Sequence, residues 1–437
     1  MEEQEILREM EAQNRWWVEK NIELDKSLIE RGVYKQVLDE VNKKEVTGLI
    51  GLRRVGKTTI LKQIISYLLR NGVDPKKILF FSFDGFKKEE KILKQVIEIY
   101  SRYILEAELA KTEKIYVFFD EIQKVGEWGE EMKSIYDKNY KIKFFVTGSS
   151  SMNILRGSGE SLVGRINIHK VFPFKFREFL NFRGVQVDQK NIYEIKYPTD
   201  SENIITSFNK YLKLGGFPEL YLLTDQDIKT KIKTFLDLTF YRDIVNLFEI
   251  KRPDVLDGLF LSLLRESGNL VNYNNLSNSL NTKFETIKTY IEYLSYSFLI
   301  SQSKFFSNSR KTVEKNTKIY VSDHSFSNIS EIEEGLKIET VIYNHCKCLV
   351  DQGEFDGIFY WRNRKNEVDI VLTSRKEVLP IEVKYREDPK KIPGLLKFMN
   401  EFTVKKSIVV TKDLFEKKQI DGKEVNFIPA WLFLLAV

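Results

Sequence analysis

Four residues in the stretch GLRRVGKTT, residues 51–59, have the types and spacing to grip a phosphate. Gly51, Gly56, Lys57 and Thr58 fill the fixed places of the pattern GxxxxGK[ST]. Glycines let backbone N–H groups turn inward around an anion, and the N-terminus of a following helix adds partial positive charge. Lys57 is long enough to reach the β and γ phosphates of ATP, and Thr58 offers a hydroxyl to Mg²⁺. Arg53, Arg54, Val55 and Thr59 complete the loop as candidate nucleotide contacts.

A second set of candidates follows the apolar run 115–119, which leads into Asp120 and Glu121. A carboxylate at the carboxyl end of a buried strand lies beside the loop of its neighbour. Asp120 would hold Mg²⁺ through water, and Glu121 would polarise the attacking water. The apolar run 143–147 ends in Gly148-Ser149-Ser150-Ser151. Ser149 or Ser150, with Asn153 behind them, would touch the γ phosphate. The glycine-rich segment 156–165 ends in Arg165. That arginine would stabilise transition-state charge, in cis or from a neighbouring subunit, or else make a structural ion pair.

The C-terminal part holds a further constellation. Asp369 is followed by Glu382-x-Lys384, the spacing found at the core of PD-(D/E)xK nucleases. Two strands of a hairpin, 367–372 and 379–385, would set Asp369 beside Glu382, where two carboxylates can share Mg²⁺. Lys384, two residues along the strand, shares the face of Glu382 and would steer a water. Glu339, in a helix-like stretch at 336–349, would complete the set. Two readings stay open: an active metal-dependent nuclease, or a degenerate nuclease-like fold kept for binding.

These groups need a frame. Residues 46–50 read as a buried strand and 60–69 as a helix with Ile60, Ile64, Ile65 and Leu68 on one face. Further strands are expected at 77–84, 115–119, 143–147 and 166–172, with a helix carrying Ile92, Val96, Ile97 and Tyr100. Residues 1–44 read as helical, and Arg15, Lys20 and Arg31 read as a solvated basic face. Residues 253–305 read as three helices, the third opened by a capping box, Thr282-x-x-Glu285. A hairpin of 299–306 and 317–321 would follow, which suits a winged helix-turn-helix. Lys283, Thr286, Lys288, Thr289 and Tyr290 would face away from the apolar stripe of Ile287, Ile291, Leu294 and Phe298 and could enter a DNA groove.

The segments GLRRVGKT, VFFDEIQKVGEW, FFVTGSSS and GRINIHKVFPFKFREF closely resemble archaeal and bacterial AAA+ P-loop ATPases. More narrowly, the chain resembles the prokaryotic group whose ATPase is fused to a C-terminal domain of unknown function. That likeness continues through LGGFPELY, FYRDIV, KIYVSDHSF and YWRNRKNEVDIVL, so it covers most of the chain. It implies the AAA+ parallel sheet with the phosphate loop at its first strand, and a helical lid. The organisation expected is an N-terminal helical segment (1–44), a nucleotide-binding core (45–173), a lid (174–250), a winged-helix module (251–325) and a small α/β nuclease-like domain (326–437).

Composition sets outer bounds. The 437 residues carry 69 Lys and Arg against 63 Asp and Glu, a net charge of +6, which permits nucleic acid without requiring it. Cys346 and Cys348 are the only cysteines, too few for a disulfide framework or a zinc cluster. No apolar run reaches the roughly 20 residues of a membrane helix, and the acidic start is unlike a signal peptide. The expectation is a soluble cytoplasmic protein that uses ATP and Mg²⁺, with DNA as partner; a protein partner and a homo-oligomer stay open. Mg²⁺-dependent ATP hydrolysis coupled to DNA is the first reading. A nucleotide-gated switch or scaffold with an inactive nuclease-like domain is the second.

Overall fold

The computed structural model describes residues 3–19, 29–85, 92–149, 162–187, 191–198, 200–307, 317–386, 389 and 391–437. Ser150, Asn153 and most of the glycine-rich segment before Arg165 lie outside them. The chain divides into two compact units, Met1–Val171 and Phe172–Val437.

The first unit is built on five parallel strands: β1 (Val46–Ile50), β2 (Ile78–Ser82), β3 (Ile115–Asp120), β4 (Ile142–Gly148) and β5 (Ile166–Lys170). Their order is β2-β3-β4-β1-β5. β1, β3 and β4 are buried at every position, as near-continuous apolar runs covered on both faces must be. The helices of this unit are α1 (Glu3–Gln13), α2 (Gly32–Leu38), α3 (Lys57–Arg70), α4 (Ile92–Tyr100) and α5 (Trp128–Tyr136). β1 has β4 on one side and β5 on the other, so the loop leaving β1 opens beside the ends of β4 and β3.

The N-terminal segment has a defined task at the open edge of β2. The Asn14 amide donates to Phe80 O and accepts from Phe80 N, each at 2.7 Å. Gln13 Oε1 accepts from Ser82 N at 2.7 Å. Side-chain amides thus take the place of a sixth strand and blunt an edge that would otherwise pair with another chain.

The second unit begins with helices α6 (Phe176–Phe182), α7 (Ser201–Leu214) and α8 (Asp225–Asp237), the last continued by a π-helical stretch, Leu238–Val245. Then come α9 (Pro253–Arg265), α10 (Tyr273–Ser279), α11 (Phe284–Tyr296) and an antiparallel hairpin of β6 (Ile300–Phe305) and β7 (Lys318–Val321). The rest is α12 (Glu334–Asp351), β8 (Gly357–Asn363), β9 (Asn366–Thr373), β10 (Val378–Lys384), α13 (Pro393–Glu401), β11 (Lys406–Thr411), β12 (Glu416–Ile420) and β13 (Lys423–Pro429). Eight strands form one sheet, in the order β12-β13-β11-β10-β9-β8-β6-β7. Successive residues of β9 serve its two faces: Ile370 and Leu372 join one core and Val371 the other.

Of the segment 174–250, expected as a lid over the nucleotide, α6 and α7 give Phe176, Phe179, Phe208 and Tyr211 to the core under the C-terminal sheet, beside Ile342, Ile370 and Ile381. Three expectations change here. The hairpin is present but is no separate wing: β6 also pairs in parallel with β8, so one sheet crosses position 325. The capping box does not form, because α11 starts at Phe284 with Lys283 as its N-cap and no side-chain cap. Tyr290 does not face outward. It is buried with Ile287, Ile291 and Leu294, since i, i+3, i+4, i+7 is one helical stripe and the phenol ring counts as apolar body.

Candidate functional site

In the first unit the candidate nucleotide residues converge at the carboxyl ends of β1, β3 and β4. Gly51 follows β1 where the chain runs against β5: a Cβ there would lie 2.1 Å from Val171 O, so no side chain fits. Gly56 has φ +97°, which frees the turn into α3. Between them Arg54 is exposed with φ +68°, Arg53 is half-buried and Val55 is fully buried. Lys57 starts α3 and is buried; its ammonium donates to Gly51 O at 2.9 Å and Leu52 O at 2.8 Å. It therefore arches over the loop whose amides would hold a phosphate. Thr59, half-buried, lies in the first turn of α3.

Asp120 ends β3 and faces this loop. Thr58 Oγ1 lies 3.1 and 3.0 Å from its two carboxylate oxygens. Thr147, on the adjacent β4, donates to Asp120 Oδ1 at 2.6 Å and accepts the Glu121 N–H at 2.9 Å. Ser82 of β2 lies 3.5 Å from Asp120 Oδ2. A hydroxyl and a carboxylate side by side are the hard oxygen donors that Mg²⁺ takes, so the residues fit that ion. Glu121 is held at φ +56°, a left-handed backbone that costs a non-glycine residue about 1–2 kcal/mol. Its carboxylate accepts from Gln123 Nε2, which also donates to Ser149 Oγ at 3.0 Å. Ser149 is buried at the end of β4, between the β1 and β3 ends.

Arg165 makes the ion pair that is one of its expected readings, whereas Arg31 stands elsewhere than expected. Arg165 precedes β5, and its carbonyl accepts from Val46 N, so it lies at the amino end of the sheet. The length of β1, about 15 Å at the usual rise, lies between it and the phosphate loop. Its Nε pairs with Asp137 at 3.2 Å. Arg31, expected on a solvated face, is buried, and its guanidinium donates to Val55 O at 2.7 Å within the loop. A lone arginine before a helix has no periodicity to betray this. Thr147 and Gln123 were equally invisible, since a buried Thr in a strand reads as any β-branched residue.

In the second unit Glu339 of α12, Asp369 of β9, and Glu382 and Lys384 of β10 do come together. Ile381 pairs with Ile370, which brings Glu382 and Asp369 to adjoining positions, and Val383 N donates to Asp369 Oδ2 at 2.8 Å. Lys384 Nζ lies 2.5 Å from Glu382 Oε1. Burial, then the neighbouring Asp369 carboxylate, pushes Glu339 up to about 7 and Glu382 up to about 8. A further lysine enters the cluster. Lys318 Nζ of β7 lies 3.1 Å from Glu339 and 3.5 Å from Asp369, and 2.5 Å from Glu367. Burial alone would depress this ammonium, but Glu339, Asp369 and Glu367 together raise its pKa above the ordinary value. Among the described residues no group of three or more His, Cys, Asp or Glu side chains is placed to hold a metal ion. The acidic cluster does not fit Mg²⁺, because Lys318 already stands among its oxygens.

Two further motifs are buried. The Asp323 carboxylate accepts from Gly216 N and Ser325 N, each at 2.8 Å, which joins the LGGFPELY and KIYVSDHSF segments. Cys346 and Cys348 are buried in α12. Among the described residues no helix is long and apolar enough to cross a membrane.

Residues 43–180 match the family model of an AAA domain. Residues 205–334 and 334–433 match two domains of unknown function, DUF8612 and DUF4143. The chain is 29% identical to the uncharacterized protein MJ1544 of Methanocaldococcus jannaschii, over 89% of this chain and 87% of the relative. It is 25% identical to an uncharacterized protein of Haemophilus influenzae, over 94% of this chain and 100% of that one. Among solved structures, the Walker-type ATPase PABY2304 of Pyrococcus abyssi aligns at a TM-score of 0.42 and 16% identity, covering 69% of this chain and 95% of that one. The Orc1 protein of Aeropyrum pernix, solved in complex with DNA, aligns at 0.33 and 10%, covering 73% and 96%. The chain thus carries an AAA-type ATPase domain, an assignment that rests on the family match and on the site geometry.

Proposed function

We propose that the chain is a Mg²⁺-dependent ATPase whose nucleotide cycle is coupled to binding or processing DNA. The observation that carries the ATPase reading is the meeting of Lys57, Thr58, Asp120 and Glu121 beyond the carboxyl ends of β1 and β3. The loop amides and the Lys57 ammonium bind the phosphates, which requires the ammonium to leave the Gly51 and Leu52 carbonyls. Mg²⁺, when bound, offsets phosphate charge, and Thr58 with Asp120 would hold it. Glu121 orients the attacking water and accepts its proton, while Gln123 fixes the carboxylate and links it to Ser149, which senses the γ phosphate. Arg165 would act on the site of a second copy.

Support for DNA comes from α11, where Lys283 and Lys288 are exposed and Thr286 and Thr289 are half-buried. A second reading, a nucleotide-gated switch with an inactive nuclease-like domain, is favoured at one point by Lys318 among the carboxylates. ATPase rate with and without DNA, at two salt concentrations, tests the pair. Stimulation that fades with salt supports phosphate contacts with DNA; a rate indifferent to DNA favours the switch and a protein partner.

A further inference from the structure

Four carboxylates meet in the second unit: Glu339 from α12, Glu367 and Asp369 from β9, and Glu382 from β10. Each kind of cation that could balance them leaves a different signature. A divalent ion would draw several oxygens to about 2.0–2.6 Å around one point. An ammonium has three N–H donors and holds its acceptors at ordinary hydrogen-bond distance. The second arrangement is present. Lys318, 3% exposed, sets its Nζ at 2.5 Å from Glu367, 3.1 Å from Glu339 and 3.5 Å from Asp369. Tyr320, two residues along β7, adds its hydroxyl to the same Glu339 oxygen at 2.8 Å.

Lys384 occupies the other end of the cluster on Glu382 Oε1. Glu382 is 4% exposed, and its second oxygen, Oε2, is buried with no hydrogen-bond partner. The cluster therefore sets four carboxyl groups against two ammoniums, with Glu382 Oε2 left without a hydrogen-bond partner. A cluster of carboxylates alone would be costly to bury, and this one is tolerable because β7 delivers a cation into it. A metal ion placed within reach of Glu339 and Asp369 would sit beside Lys318 Nζ, cation against cation in a site shielded from water, so the two exclude each other.

We infer that the Lys318 ammonium, and not a divalent ion, balances Glu339, Glu367 and Asp369, so that the residues of this domain do not fit a metal while Lys318 is in place. Removal of Lys318 would open the cluster to a hard divalent cation, Mg²⁺ or Mn²⁺. The sheet then serves binding rather than metal-dependent cleavage, and β7, through Lys318, ties the hairpin to α12 and β9.

The test is Mn²⁺ binding to the nucleotide-free full chain, read from the electron paramagnetic resonance signal of free Mn²⁺. Wild type, D369N, K318M and K318M/D369N are compared, with circular dichroism to establish folding. Wild type and D369N should titrate alike, while K318M should gain one Mn²⁺ per chain at least 10-fold tighter than any wild-type site, and the double variant should lose it. A folded K318M that gains no Mn²⁺ overturns the inference. So does a wild-type Mn²⁺ site that D369N abolishes, and this comparison stands even where K318M fails to fold. K318M that folds only with Mn²⁺ present supports it.

Discussion

Thr147 makes two bonds that the proposed chemistry depends on, and removing its hydroxyl separates positioning from binding. In T147V the side-chain shape is kept, but the 2.6 Å bond to Asp120 Oδ1 and the 2.9 Å bond from Glu121 N–H are both lost. A bond to a charged acceptor contributes about 1.5–3 kcal/mol, and an orphaned buried donor costs about 1–3 kcal/mol. Thr147 is fully buried, so no water replaces the hydroxyl. The summed loss of about 2.5–6 kcal/mol divides between stability and the active geometry, because Thr58 still holds Asp120. If half falls on the transition state, ATP turnover drops about 10- to 150-fold. T147S keeps the hydroxyl and loses one methyl group, worth about 1 kcal/mol of stability and little turnover. Phosphate release at saturating Mg-ATP, with calorimetric unfolding on the same samples, reads both effects. Turnover by T147V at the wild-type rate, or T147S falling as far as T147V, would refute the positioning argument.

Three further outcomes are expected. Glu121→Gln should lower turnover about 10²- to 10³-fold while a fluorescent ATP analogue binds within a few-fold of wild type; equal losses in binding and turnover would count against a water-activating role. Lys283→Ala with Lys288→Ala should weaken DNA binding uniformly across sequences and flatten its salt dependence by about 2 in log-log slope, and an unchanged slope removes α11 from the interface. The third concerns His345, whose Nε2 accepts Phe176 N–H at 2.9 Å, so that Nδ1 carries the proton and donates to Val341 O at 2.8 Å. Burial pushes His345 down to about 3, against an ordinary 6.5. A folded-state pKa below the unfolded one gives stability that is full above pH 6.5 and lost as pH falls toward 3. Asp323, pushed up to about 6 by burial, works in the opposite sense between about 4 and 6, so the comparison with H345Q is the readout. The unfolding temperature of the full chain should fall less steeply with acid in H345Q, and identical slopes would exclude His345.

The two segments that meet beyond β1 and β3 were legible in the sequence, because each is short and its neighbours carry strand and helix periodicity. The strands expected at 46–50, 115–119 and 143–147 are present as β1, β3 and β4, differing by a residue or so at their ends. What stayed hidden was set by pairing between distant segments. Lys318 reads as an ordinary polar residue opening a short strand, and Glu367 as a charge beside a more conspicuous Asp369; only the sheet brings them together. Arg31 and Thr147 reach their partners across the fold for the same reason. Tyr290 misled because its hydroxyl marked it as polar while its ring completes the buried stripe of α11. The helices α6 and α7 are amphipathic, and amphipathicity does not say which sheet they cover.

The central claim is that the loop after β1 and the carboxylates after β3 hold one nucleotide. A structure of the full chain with a non-hydrolysable ATP analogue and Mg²⁺ tests it most directly. The triphosphate should lie in the loop of residues 51–58, with Lys57 Nζ turned from the Gly51 and Leu52 carbonyls onto it and the metal beside Thr58 and Asp120. A nucleotide bound elsewhere, or none bound at millimolar concentration, would contradict the account.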